Sequence, residues 1–219
     1  MWIRDIGKGF AVILIFTLLQ GCSGGGWTER ERTVIFRSDS VMFVTTWHED
    51  SVQLRTPSVD VDPEEFQSEE LKTLMAKMLR TVTDPSQDGV GIAAPQVGIN
   101  RRIIWVQRLD KDGEPFECYV NIRIDSLFGD TRRGPEGCLS VPGYQGMVTR
   151  NNNVVISYSD LESGNKVKEQ IEGYTAVIFQ HECDHLEGIL YVDRADTVYV
   201  NLPWMEELKQ YDYTRPEWW

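Results

Sequence analysis

Cysteine and histidine are scarce in this chain: four cysteines and three histidines among 219 residues. The cysteines, Cys22, Cys118, Cys138 and Cys183, show no short paired spacing, which excludes a disulfide scaffold and a zinc ribbon. Positive charge is also short. Lys and Arg number 22 against 34 Asp and Glu, a formal charge of −12. Such a balance argues against nucleic acid and against anionic membrane surfaces as partners. Long apolar runs are missing too. The longest, Phe10 to Leu19, is too short to span a bilayer comfortably. No internal repeat is visible, and low complexity is confined to Gly24–Gly26. What remains is ample apolar content, 41%, for one well-buried core.

Residues 1–21 stand apart. Arg4 and Lys8 precede the apolar run, and a small residue, Gly21, comes before Cys22. This is the layout of a secretory signal. Leu19-Gln20-Gly21-Cys22 resembles the lipobox of bacterial lipoproteins, in which the Cys becomes the lipidated first residue. The resemblance implies an exported, membrane-anchored protein carrying acyl chains on Cys22, with the glycines as a flexible tether. Left uncleaved, the same chain is cytoplasmic.

Further along, 22–53 reads as tether and N-terminal extension, with a short β-like run around Val41 to Val44. Asp62-Pro63-Glu64-Glu65 has the form of a helix start, with an N-cap carboxylate, Pro at N1 and Glu at N3. Leu71, Leu74, Met75, Met78, Leu79 and Val82 then follow a 3.6-residue period, and Asp84-Pro85 closes the helix. Gly89 to Gly98 is too rich in Gly and Pro for a helix. Strands are expected at Arg102 to Gln107, Cys118 to Ile124, Val154 to Tyr158 and Val167 to Ile171. A last helix is expected from near Gly173 to Gly188. The pattern predicts an α+β fold, with antiparallel strands packed around a central C-terminal helix. The catalytic domain would occupy 54–195, followed by an aromatic tail over 196–219 that contains Trp204, Tyr211, Tyr213, Trp218 and Trp219.

That last helix carries His181-Glu182-Cys183-Asp184-His185. Positions i and i+4 share a helix face, so both imidazoles can reach one metal ion, with Glu182 beside its water as general base. This pattern names a hydrolytic chemistry but not the third ligand. A third His six residues on is excluded, because Tyr191 stands there. A downstream Glu is allowed by the spacing of Glu206 and Glu207. An upstream thiolate is available from Cys138, in Glu136-Gly137-Cys138-Leu139-Ser140.

Gly89 to Gln96, Glu136 to Ser140 and Gln180 to His185 together resemble the three ordered motifs of the peptide deformylase family. The likeness runs from about Leu54 to about Arg194. It implies that Cys138, His181 and His185 bind one divalent metal, typically Fe²⁺, replaceable by nickel, cobalt or zinc. Glu182 would serve as general base, with Gln96 and the Leu139 backbone N–H as oxyanion donors. The Gly91 carbonyl would orient the scissile formamide. Val90, Tyr174, Val177 and Ile178 would line a slot for methionine. The implied reaction is removal of formyl from N-formylmethionyl peptides. Alternatives are hydrolysis of another small N-acyl group outside the cytoplasm, and a non-catalytic binding protein on the same scaffold. Asp184 points off the ligand face and is expected to pair with Arg150; Cys183 and Cys118 are expected to pack. Two residues depart from the family pattern: Ile122 replaces a common Pro after Asn121, and Gln145 lies close to where many relatives carry Arg. Export to an oxidising compartment would threaten a thiolate with Fe²⁺ and so favour zinc.

Overall fold

The computed structural model describes residues 26–87 and 89–201. The expected signal segment, Cys22, Glu206, Glu207 and the tail aromatics lie outside them. The helices are α1 (Glu29–Ile35), α2 (Ser51–Arg55), α3 (Glu69–Val82) and α4 (Gly173–Leu186). The strands are β1 (Gly91–Ala93), β2 (Ile103–Gln107), β3 (Phe116–Glu136), β4 (Tyr144–Ser159), β5 (Lys166–Glu172) and β6 (Thr197–Val200). They form one sheet in the order β1-β2-β3-β4-β5, and β6 pairs with β4. All five pairings are antiparallel, so the α+β expectation holds.

Helix α4 is buried along nearly its whole length, from Thr175 to Leu186, with His181 partly open. Its first turns, Ala176 to Phe179, are apolar, its later turns bury the polar Gln180, Glu182, Asp184 and His185, and it packs on β1, β2 and β4. Just beyond its end, Gly188 has φ +71, and a Cβ there would strike the Arg55 carbonyl. Glycine is therefore required both by the left-handed turn and by the close approach.

Three expectations need correction. Asp62 caps a 3₁₀ turn, Pro63–Glu65, and does not start the helix. Helix α3 starts separately at Ser68, whose hydroxyl accepts from Leu71 N at 3.2 Å. Its apolar face is as expected: Leu71, Leu74, Met78 and Val82 are buried. Each is worth roughly 1.5–3 kcal/mol when fully buried. Second, Val41 to Val44 is not a strand. Within the segment Met42 N–H donates to the Thr81 hydroxyl of α3 at 2.8 Å, and just beyond it Thr45 N–H donates to Gln96 O at 2.7 Å and Trp47 N–H to Ser140 O at 2.9 Å, so no strand ladder forms. Third, β3 and β4 are far longer than expected. The β3–β4 pair has three register shifts, two of them beyond Ile124, and its extra length forms a two-stranded arm, mostly exposed on β3 from Arg123 to Glu136.

Residues before Val41 join the core. Trp27 and Ile35 pack in the apolar cluster of α3. Thr28 and Glu31 form a capping box at the start of α1. The buried Arg101 locks this segment down. Its Nε donates to Glu31 Oε1 at 2.6 Å and its Nη2 to Gly26 O at 3.1 Å. The guanidinium also lies 5.1 Å from the centre of the Trp27 ring.

Candidate active site

One turn of α4 places His181 and His185 on a common face, ring centres 5.1 Å apart. The loop after β3 brings in Cys138, whose Sγ lies 3.2 Å from His185 Nε2. One ligand atom from each of the three residues falls within 4.8 Å of the others. The loop is held by Val141 N–H donating to Cys138 O at 2.9 Å. Two donors approach the sulfur: Ser140 N at 3.4 Å and Gln96 Nε2 at 3.5 Å.

His181 is oriented from behind. Its Nδ1 meets Glu136 Oε2 at 2.8 Å, which leaves Nε2 for a ligand. Glu136 in turn accepts from Arg150 Nε at 2.8 Å and Nη2 at 3.0 Å. Arg150 Nη1 donates to Asp184 at 2.5 Å, as expected of that pair, and Arg194 holds the same carboxylate at 2.5 and 2.6 Å. Burial alone would push the Glu136 carboxyl up; the Arg150 and His181 hydrogen bonds outweigh it and hold it at about 2. Glu136 and its partners were the functional feature that spacing did not reveal. The signal was its place in the same short motif as Cys138.

Glu182 is buried, and one oxygen, Oε2, has no partner among the described residues. Burial pushes its carboxyl up to about 7, where a general base works best at neutral pH. A Cβ on Gly91 would lie 2.5 Å from Glu182 Oε1, so the glycine gives this carboxylate its place. Gln96 sits on a 3₁₀ turn, Ala94–Val97, that Pro95 helps to start. Its Oε1 accepts from Ala93 N at 2.8 Å, so its NH₂ must face Cys138 and Ser140, the latter at 3.2 Å.

These residues open on one cleft of about 680 Å³. Gly91, Gln96, Leu139 and Glu182 line it, as do Val90, Tyr174, Val177 and Ile178. Val177 and Ile178 are 7% and 3% exposed and make wall; Tyr174, 47% exposed, stands at the rim. His185 lies behind the cleft, fully buried. Cys183 is buried on α4, and burial pushes its thiol up, as for a packing residue.

The donor set suits a cation. One thiol and two imidazoles match divalent zinc or iron. Burial would depress both imidazoles. At His181 the hydrogen bonds its ring donates to Cys138 and Glu136 prevail and raise it well above its usual value, so the surroundings favour positive charge there. At His185 burial prevails and the ring stays neutral, as a ligand must. Two imidazoles and a thiol gathered on one point, beside a buried carboxyl group with one oxygen unpartnered, define the class: a metal-dependent hydrolase.

Comparison with known proteins narrows the class. The polypeptide deformylase family model matches residues 42–200. A peptide deformylase of Leptospira biflexa serovar Patoc is 40% identical over 148 residues, which span 64% of this chain and 81% of that one. One from Desulforudis audaxviator is 46% identical over 111 residues, 51% of this chain and 70% of that one. The crystal structure of a class I type b peptide deformylase from Acinetobacter baumannii, with Met-Ala-Ser bound, is similar with a TM-score of 0.60 and 37% identity. That match covers 70% of this chain and 98% of that one. The chain belongs to the polypeptide deformylase family.

Proposed function

We propose that this protein removes the formyl group from N-formylmethionyl peptides, releasing formate and a peptide with a free amino terminus. The observation that carries this reading is the buried Glu182 carboxylate, held at about 7 beside the Cys138, His181 and His185 set. The Met-Ala-Ser bound to the Acinetobacter relative supports the substrate class.

Cys138, His181 and His185 would hold one divalent ion, Fe²⁺ by the family resemblance, with Zn²⁺, Ni²⁺ or Co²⁺ able to substitute. When bound, the ion supplies the Lewis acidity that makes water nucleophilic at neutral pH. Glu182 takes the proton of the attacking water and later delivers it to the leaving amine. The Gln96 NH₂, fixed by Ala93 N–H, and the Leu139 backbone N–H donate to the oxygen on which charge develops. Gly91 keeps space for the base, and its carbonyl orients the formamide. Val90, Val177, Ile178 and the rim Tyr174 offer an apolar slot suited to an unbranched thioether side chain. The signal-like layout of residues 1–21 supports export and lipid anchoring through Cys22 as part of the same proposal.

Metal-loaded protein should release formate from formyl-Met-Ala-Ser, and Glu182→Ala should abolish release while retaining the metal. A metal-loaded wild type that releases none would reject the reading. Mass spectrometry of the mature N-terminus should find an acylated Cys22; an intact Met1 would reject the anchor.

A further inference from the structure

The chain enters the folded domain at a fixed point. Arg101 Nη2 donates to Gly26 O at 3.1 Å, and Trp27, the next residue, is buried. From there the surface can be followed along residues 97–101. Val97 and Gly98 line a hollow with Val34, Arg37, Phe43 and Lys77. Asn100 Nδ2 donates to the Gln53 and Thr56 carbonyls at 3.0 and 2.9 Å, which holds α2 against the same segment. Asn100 O accepts from Val59 N–H at 3.0 Å. The start of α1 closes the circle, with Arg30 Nη2 donating to Gln53 Oε1 at 3.3 Å. Gly26, α1, the segment that follows it, α2 and Val59 thus share one region of surface.

That region presents apolar side chains that the described residues leave uncovered. Phe36, Phe43, Val52 and Val59 are between 49% and 74% exposed. A single exposed apolar residue is ordinary, but four gathered by the contacts above mark a surface that meets something apolar. The charge pattern agrees. Residues 26–59 hold four arginines against five acidic residues, so the chain's formal −12 lies almost wholly elsewhere. Arg37 and Lys77 share the hollow with Phe43, and Asp39 is the one acid among its described lining residues. A near-neutral face with cations beside aromatic rings suits the phosphates and acyl boundary of a zwitterionic lipid interface.

We propose that this face, led by Phe36, Phe43 and Val52, rests on the headgroup region of the membrane that holds an acylated Cys22. The proposal depends on the lipid-anchor reading given above and deepens it, because it fixes how the domain stands on the bilayer. Tether length decides the occupant. Four residues lead from Cys22 to Gly26, and they span at most about 14 Å. A folded domain of this size is about 40 Å across. The tether is therefore too short for the domain to turn its far side to the bilayer. The apolar region next to Gly26 is the part that comes to lie on the lipid.

The test uses the full chain, expressed with its signal segment and reconstituted in phosphatidylcholine vesicles. The photo-crosslinking residue p-benzoylphenylalanine replaces Phe43, Val52 or, as a reference, the exposed Phe128 of the β3 arm. After irradiation, mass spectrometry of the digests reads the yield of lipid adduct at each position, and thermal melts confirm that each variant is folded. Contact with the acyl boundary predicts yields at 43 and 52 about tenfold above that at 128. Phe36→Asp, which sets a charge against the lipid, should lower the yield at 43 about fivefold without releasing protein from the vesicles. Yields at 43 and 52 no higher than at 128, in protein that stays on the vesicles, overturn the face, as does a yield at 43 unmoved by Phe36→Asp. Protein that washes off the vesicles would instead reject the lipid anchor, and the face with it. Formate release from formyl-Met-Ala-Ser by the same vesicles tests the deformylase reading separately.

Discussion

Replacing Glu136 by glutamine preserves shape and removes one charge from the middle of a buried chain of ion pairs. In the wild type its carboxylate is shared between Arg150, at 2.8 and 3.0 Å, and His181 Nδ1, at 2.8 Å. The folded protein holds this group at about 2, against an ordinary value of 4.5. At 1.36 kcal/mol per pKa step, that difference is worth ~3 kcal/mol of folding free energy. Removing one partner of a buried ion pair costs about 3–5 kcal/mol, which agrees. Because the folded value is depressed, the contribution is complete above pH 4.5 and is lost as pH falls toward 2. Metal-free Glu136→Gln should therefore be ~3 kcal/mol less stable than wild type at neutral pH, and the gap should close near pH 2. His181 also loses its charged acceptor, so metal affinity should fall about 10–100-fold. Urea unfolding of both metal-free proteins across the acid range, with chelator competition at neutral pH, measures both effects. Equal stability at neutral pH, or a deficit that does not change with pH, would refute the reasoning.

Two further substitutions test the other side of the site. Gly91→Ala places a carbon 2.5 Å from Glu182 Oε1 and displaces the base; kcat/KM for formate release should fall by at least ~10²-fold while metal content stays full. Displacement of the metal together with activity would contradict this account. Glu182 presents the opposite pH sign to Glu136. Burial raises it to about 7, so the folded protein retains a proton that the unfolded chain releases above 4.5, and stability declines as pH rises between those values. Metal-free Glu182→Gln should escape that decline and gain up to ~3 kcal/mol on wild type above pH 7. Parallel stability–pH curves for the two proteins would count against it.

The site was more legible in the sequence than the fold around it. His181 and His185 could be paired because helix geometry fixes the i, i+4 relation without reference to the rest of the chain. Cys138 could not be chosen over Glu206 by spacing; the choice came from motif resemblance, and the structure then placed Cys138 Sγ 3.2 Å from His185 Nε2. Glu136 was hidden because a buried carboxylate looks in sequence like any surface one; its partner Arg150 reaches it across the β3–β4 pair. The β3–β4 arm was missed because its outer half is exposed on β3 and bulged, so no alternation marks it. The same limit applies to Asp62-Pro63, whose local chemistry suits a short 3₁₀ turn as well as an α-helix.

The grip of Arg101 on α1 bears on where an independently folding fragment begins. The family match starts at residue 42, yet Trp27 and Ile35 share one apolar cluster with Leu71, Leu74 and Met78. A fragment cut at the family boundary would uncover that cluster. It would also strand a buried guanidinium without the carboxylate of Glu31. Sequence kinship and thermodynamic autonomy thus draw different borders on this chain, and any recombinant truncation has to respect the second.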